Sequence, residues 1–413
     1  MRGNVRGCVY TEPLWGIPYN LYAPYVSVYM LALGLTDSQI GLLTTIGLSF
    51  QIFWAMISGA ITDKLGRKRT TLIFDIISWS IPCLIWAFAQ DFTYFLVAAI
   101  INSVWRVTHN SWQCVMVEDT DPRLLVDVYS WVYISGLLSA FVVPFAGLLI
   151  EQFTLVPTMR GLYLLAFLMM TTKFFTMNAM VTETQQGVRR MKETQHQHLF
   201  SILHGSVEVL REILRAPSTL FIAGLMVILS ICSTINNTFW AILVTEKLQI
   251  APQYLAFYPF ARSIIMLLFF FVVMPKLRTI PVYKPIMIGF GGFILSHFIL
   301  INIPVQNYML LLTSTILEAC SIPLASTLLD KLVIVTVDPK ERARIMAILA
   351  VIVIVFTSPF GWIAGQLSEI DRNLPFILNI FLFSLAGLLT YLAGRSAKSG
   401  FEVEALTEEP ART

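Results

Sequence analysis

In the stretch Gly59-Ala60-Ile61-Thr62-Asp63-Lys64-Leu65-Gly66-Arg67-Lys68-Arg69, an apolar run that begins near Gly41 stops at Asp63. Four cations (Lys64, Arg67, Lys68, Arg69) follow within seven residues, and a second apolar run starts at Thr71. A turn this short between two hydrophobic spans is a hairpin at a membrane face, and its charge places that face on the cytoplasmic side. Each residue type has its own expected part. Gly59 lets a neighbouring helix approach closely, Gly66 permits a tight turn, and Asp63 accepts hydrogen bonds from Arg67 or from an adjoining helix N-terminus. Taken alone, such a loop need do no more than fix topology.

The rest of the composition agrees with a membrane setting. The 413 residues are 56% hydrophobic and 13% charged, with mean hydropathy +0.73, against roughly 25% charged in soluble proteins. The net charge of +3 says little by itself. Five scattered cysteines (Cys8, Cys83, Cys114, Cys232, Cys320) show no paired spacing, so neither a disulfide framework nor a metal site is expected. No cleavage-site pattern follows the first apolar run, which is expected to stay as a helix.

Twelve apolar stretches have spanning length, near 14–33, 41–62, 70–89, 93–117, 127–150, 161–181, 218–243, 254–274, 285–302, 307–329, 343–367 and 375–394. With the N-terminus inside, the inner segments hold 22 Lys and Arg, the outer loops three (Arg160, Lys247, Arg372) and the spans three (Arg106, Lys173, Arg262). That asymmetry predicts cytoplasmic termini in a cell-membrane protein. The longest connection, 182–217, divides the chain into bundles at 1–181 and 218–394. Within it Phe200, Leu203, Val207, Leu210 and Leu214 recur at helical spacing, with Arg211 and Arg215 on the other face, predicting a helix on the inner membrane surface. His196 and His198 lack a third ligand and read as solvated. The acidic tail, 395–413, is expected to be disordered.

The two halves repeat. Asp121-Pro122-Arg123 is answered by Asp338-Pro339-Lys340 at an offset of 217, and Val143-Pro144-Phe145-Ala146-Gly147 by Ser358-Pro359-Phe360-Gly361 at 215. Internal duplication of this kind occurs in secondary transporters. A decayed echo of the first loop, Met274-Pro275-Lys276-Leu277-Arg278, lacks the Asp.

Gly59-x-x-x-Asp63-x-x-Gly66-Arg67-Lys68-Arg69 between a second and a third span resembles the signature loop of the major facilitator superfamily. The resemblance implies an all-α membrane fold, twelve transmembrane helices in two pseudo-symmetric six-helix bundles, acting by alternating access. It also implies that spans 1, 4, 7 and 10 line a central cavity, which would set Arg106 and Glu318 at the substrate level in opposite halves. Asp63, Arg67 and the Glu118-Asp119 pair would form a cytoplasmic cluster that latches the halves when the cavity faces outward; simple charge pairing is the alternative.

Ionisable groups inside a bilayer are costly and are read as functional. Glu318 reads as the only carboxylate near the middle of a span, poised between apolar burial and a nearby Arg, and so able to take up and release a proton. A permanent ion pair with Arg106 or Arg262 is the alternative. Arg106 matches the Arg of Arg-x-x-Gln-Gly, a fourth-span motif of proton-coupled members, but His109 and Asn110 follow where Gln and Gly stand. Lys173 reads as snorkelling to the inner face, and His297 lies in the ninth span. In the fifth span Ser139, Val143, Pro144 and Gly147 partly match an antiporter motif. Pro144 and Pro359 each remove a backbone hydrogen bond and permit bending. Tyr19, Asn20, Asn102, Asn236, Asn237 and Trp240 give the cavity a polar-aromatic lining, while Trp15, nearer a span end, reads as an interfacial belt residue.

These readings predict proton-coupled export of a small amphipathic or drug-like compound by a monomer. Uptake of an organic anion or sugar, a lipid flippase and a transporter-like receptor remain alternatives. No Gly-rich phosphate loop, nucleophile–base pair or metal-ligand spacing is present, so neither an enzyme, a cofactor, nucleic-acid binding nor ATP-driven transport is expected.

Overall fold

The computed structural model describes residues 3–195, 217–273, 276, 283–329 and 342–407. Among these residues there is no strand; the chain is a succession of helices that pack as two six-helix bundles. The second span, Asp37–Leu65, shows how local sequence sets the ends. Thr36 and Gln39 form a reciprocal capping box at its start (3.3 and 3.0 Å), and Gly66 at φ +84° ends it and starts the third span. Asp91 caps the fourth span through the Thr93 amide at 2.8 Å, and Asn307 the tenth through the Leu310 amide at 3.0 Å.

Nine helices among the described residues are long and apolar enough to cross a membrane. The first (4–32), fourth (92–117) and eighth (252–272) spans are the exceptions, because they are broken or interrupted by polar and charged residues. They carry Glu12, Arg106 and Arg262 respectively. Large apolar side chains such as Phe145, Leu168, Phe271, Ile288 and Phe381 face outward, as lipid contact allows.

Four expectations are corrected. The first helix begins at Asn4, ten residues before the first apolar run, because Asn4 exchanges hydrogen bonds with the Thr182 backbone (2.8 and 3.0 Å) and so ties the first span to the end of the sixth. Gly59 brings no helix close, since a Cβ there would meet nothing within 4 Å. The twelfth helix continues to Thr407, where the sequence led to an expected disordered tail; Phe401-Glu-Val-Glu-Ala-Leu406 contains good helix formers. Finally, the connection carries a helix earlier than expected, Gln185–Thr194, capped by Thr184 through the Gly187 amide at 2.9 Å. The predicted surface helix over 200–214, His196, His198, the Asp338-Pro339-Lys340 repeat and nearly all of 274–278 lie outside the described residues.

The prolines act locally. Pro144 follows a 3₁₀ turn, and the Ala140 carbonyl that its ring cannot serve accepts from the Val143 amide instead. Pro359 sits inside the continuous eleventh span, Arg342–Ile370, where the Ser358 hydroxyl donates to the freed Val355 carbonyl at 3.3 Å.

The two bundles meet on the face opposite residues 63–69. There Gly41 of the second span lies against Gly361 and Gly365 of the eleventh, so closely that a Cβ on Gly41 would fall 2.8 Å from the Gly365 Cα. Thr45 Oγ1 donates to the Ser358 carbonyl at 2.7 Å and accepts from the Trp362 amide at 2.7 Å. Gln366 donates to Ser38 Oγ at 2.9 Å, and Phe141 of the fifth span meets Phe260 of the eighth edge-on, centroids 5.3 Å apart. The polar contacts between bundles seen among the described residues all belong to this face.

Candidate functional site

Between the bundles is a cavity of about 710 Å³. The first span contributes Glu12, Trp15, Tyr19 and Asn20, and the third Asp75, Trp79 and Trp86. The fourth adds Asn102, Trp105, Thr108, His109 and Trp112, the sixth Lys173, and the seventh and eighth Asn236, Asn237, Trp240 and Arg262. A π-helical turn at Ile76–Ser80 directly follows Asp75; Asn102 donates to the Ser78 carbonyl in that turn at 2.7 Å, fixing the third span against the fourth. The rings form a connected wall. Trp15 stacks on Tyr19 (centroids 4.7 Å), and Trp79 stands edge-on to both at 5.1 and 6.1 Å. Trp15 is therefore a cavity residue and not an interfacial belt residue.

The charges fall into two groups, one in each bundle. Lys173 Nζ donates to Glu12 Oε2 at 2.9 Å and lies over the Trp15 and Trp112 rings at 5.9 and 5.8 Å. It is 5% exposed and buried in an ion pair, where snorkelling was expected. Asp75, 6% exposed, accepts from Thr108 Oγ1 at 2.6 Å. In the other bundle Arg262 Nη2 donates to Glu318 Oε2 at 3.1 Å and Asn236 Nδ2 to Glu318 Oε1 at 2.7 Å.

Glu318 is thus not the only carboxylate at depth. Asp75 was legible, since it lies six residues inside the third apolar stretch. Glu12 was hidden by a span drawn to start at residue 14. Arg106 does not face Glu318. Its Nε donates to Gln51 Oε1 at 3.0 Å and its guanidinium lies 4.3 Å over the Trp105 ring, inside the first bundle. Neither Arg106 nor Glu318 reaches the cavity wall, whereas Tyr19, Asn20, Asn102, His109, Asn236, Asn237, Trp240 and Arg262 do. His109 Nε2 is 3.3 Å from Gln113 Nε2, and Asn237 Nδ2 donates to Ser233 Oγ at 3.3 Å.

The loop at 63–69 is built around Arg67, which is 4% exposed. Its Nη1 meets Asp63 at 2.9 Å, and its Nε and Nη2 form a fork on Glu118 at 3.0–3.2 Å. Glu183 accepts from the Arg67 and Lys68 amides at 2.8 and 3.0 Å, placing a carboxylate on the N-terminus of the third span. Asp119 accepts from the Gln185 amide at 3.3 Å. Arg190 approaches Asp63 at 3.6 Å, so the Gln185–Thr194 helix covers the loop. Arg189 and Arg190 hold the exposed Glu193 carboxyl below the ordinary glutamate range. All these partners belong to the first bundle and the segment after it, so these contacts among the described residues do not join the bundles.

Residues 16–352 match the family profile described as Major Facilitator Superfamily. The chain belongs to the major facilitator superfamily. This facilitator is accordingly a multi-span membrane transporter of small-molecule or peptide substrates and not an enzyme. Its fold is similar to that of a mutant of the nucleoside transporter NupG (15% identity, 94% of this chain and 99% of that one, TM-score 0.74). It also resembles a bacterial homolog of the human lysosomal transporter Spinster in an inward-facing, unoccupied conformation (13% identity, 95% and 96%, TM-score 0.70). The human organic anion transporter MFSD10 is a third such structure (13% identity, 94% and 98%, TM-score 0.64). At these identities the likeness is one of fold. No curated protein matches the facilitator's sequence.

Proposed function

We propose that this transporter works by alternating access and exports a small amphipathic compound in exchange for protons. The observation that carries this is the stoichiometry at the aromatic wall, where two carboxylates, Glu12 and Asp75, flank a single ammonium, Lys173. One ammonium cannot neutralise both, so a proton or a cationic group on the substrate completes the charge balance. Exclusive occupation by one or the other is the requirement for exchange. The ring wall of Trp15, Tyr19 and Trp79 supplies apolar faces for the rest of such a compound.

The charge asymmetry supports a cell-membrane protein with both termini cytoplasmic, and residues 63–69 then mark the inner face. With the bundles joined on the opposite face, the conformation corresponds to an inward-open state. On this reading units 1–181 and 218–394, tied by 182–217, rock about the cavity. Glu318, held by both Arg262 and Asn236, positions those two residues and leaves coupling to Asp75 and Glu12.

The test is proton flux in proteoliposomes under an imposed pH gradient, with a panel of amphiphilic cations, organic anions and sugars. A cation-dependent flux in the native protein that is absent in Asp75→Asn, with substrate exchange between equilibrated compartments retained, is the expected outcome. Gradient-driven flux undiminished in Asp75→Asn would remove that residue from the coupling step. A response to anions or sugars alone would favour uptake centred on Arg262.

A further inference from the structure

Glu318 stands behind the cavity wall, 6% exposed, and holds two residues that form the wall. An ionised carboxylate only accepts hydrogen bonds. Asn236 must therefore turn its amide nitrogen towards Glu318, and this leaves its carbonyl oxygen Oδ1 buried with no partner. Arg262 spends Nη2 on the same carboxylate, and its Nε is likewise buried and unpartnered. Asn236 itself is 8% exposed. His297, the other titratable group beside them, has both ring nitrogens engaged, by the Phe293 carbonyl at 3.0 Å and Asn379 at 3.3 Å, and can satisfy neither orphan.

An unpartnered buried donor and an unpartnered buried acceptor are each a standing cost that a fold ordinarily relieves. Here they belong to two wall residues fixed by the same carboxylate. Both residues line the cavity and both are held by one carboxylate, so the orphaned N–H and C=O together complement a group that presents a C=O next to an N–H. That is the edge of a lactam or of a cis secondary amide. Trp240, which lines the same cavity, offers a face on which a flat ring can stack.

We propose that Asn236 and Arg262, positioned by Glu318, read the lactam or amide edge of a flat aromatic substrate. The proposal deepens the transport reading and rests on it for the identity of the cavity as a substrate site. Asn236 supplies the acceptor, Arg262 Nε the donor, and a small side-chain shift on substrate arrival relieves both. Glu318 acts through them: with a neutral amide in its place, the Asn236 carbonyl gains a donor on the side away from the cavity, and the order of the edge is lost.

The experiment is equilibrium binding to the purified full-length protein in detergent, followed by tryptophan fluorescence, with 2-quinolone and N-methyl-2-quinolone as probes. The two rings have nearly the same area, but only the first carries the N–H. The native protein is expected to bind 2-quinolone about tenfold more tightly, the ratio set by one buried hydrogen bond and its unpaired alternative. Asn236→Leu and Glu318→Gln, each checked for a native-like melting temperature, should bring the ratio to about one. Equal affinities in the native protein, binding of neither probe, or a ratio preserved in a folded Glu318→Gln would each overturn the proposal. Discrimination without any flux in proteoliposomes would leave the edge standing and remove the transport reading instead; flux of other compounds without discrimination would do the reverse.

Discussion

Asp37, in the first turn of the second span, and Arg372, just past the eleventh, form an ion pair across the two bundles with Nε 3.4 Å from the Asp37 carboxylate. Asp37 is 5% exposed and also accepts from Ser368 Oγ at 2.6 Å, while Arg372 reaches Glu246 at 3.8 Å. The pair therefore holds the second, seventh and eleventh spans together on the closed face. Asp37→Asn keeps the shape and the Ser368 contact but removes the charge. Because Arg372 is partly solvated, the loss should be about 1 kcal/mol, a shift of about fivefold away from this closed state. Distances between spin labels on the closed-face ends of the fourth and ninth spans should lengthen in the variant; an unchanged distribution would reduce the pair to a surface contact.

Gly41 and Gly365 lie backbone to backbone in the same seam. Gly41→Val places a side-chain carbon 2.8 Å from the Gly365 Cα and closer still to the Gly361 carbonyl oxygen, and neither backbone can yield as a flexible side chain would. The expected result is a folded protein whose turnover falls at least about a hundredfold, because a complete cycle must pass through the closed seam. Thiol reagents applied from the closed face should label Asn237→Cys in the Gly41→Val background and not in the native one. Normal turnover would show that the cycle does not need the seam to close this tightly.

Arg67 is shared by Asp63 and Glu118 at the 63–69 loop. Arg67→Met strands Glu118 in a largely buried site and leaves Asp63 only the more distant Arg190, at a cost of about 3–5 kcal/mol. The thermal midpoint should fall by several degrees, and Arg67→Lys should recover only part because it cannot form the fork on Glu118. A midpoint unaffected by Arg67→Met would mean that water already screens the cluster.

Lys173 and Glu12 make the corresponding test within the cavity. Lys173→Met should destabilise the protein, and adding Glu12→Gln should restore part of the loss, since the stranded carboxylate is then neutral. The coupling energy from the double-mutant cycle should be at least about 1 kcal/mol. Strict additivity of the two changes in thermal unfolding would show that the ion pair contributes nothing. If Asp75 also depends on Lys173, gradient-driven flux should stay lost in the double variant even where stability returns.

The sequence by itself determined the membrane-spanning class, the number and order of spans and the turn at Gly66. These depend on local properties: hydropathy over some twenty residues, the placement of Lys and Arg, and a backbone that only glycine adopts easily. It also named part of the cavity wall, because polar and aromatic residues inside apolar stretches have few other reasons to be there. Pairing was a different matter. Whether Glu318 meets Arg106 or Arg262, whether Lys173 snorkels or finds Glu12, and whether Trp15 faces lipid or cavity each depend on helix rotation and on which spans are neighbours. A side chain's partner is set by helix packing across more than a hundred residues of chain, as with Glu12 and Lys173, and no local pattern records it. The same is true of Asp37 and Arg372: the sequence shows two ordinary loop charges at the ends of spans, and only the closed arrangement of the two bundles makes them a pair.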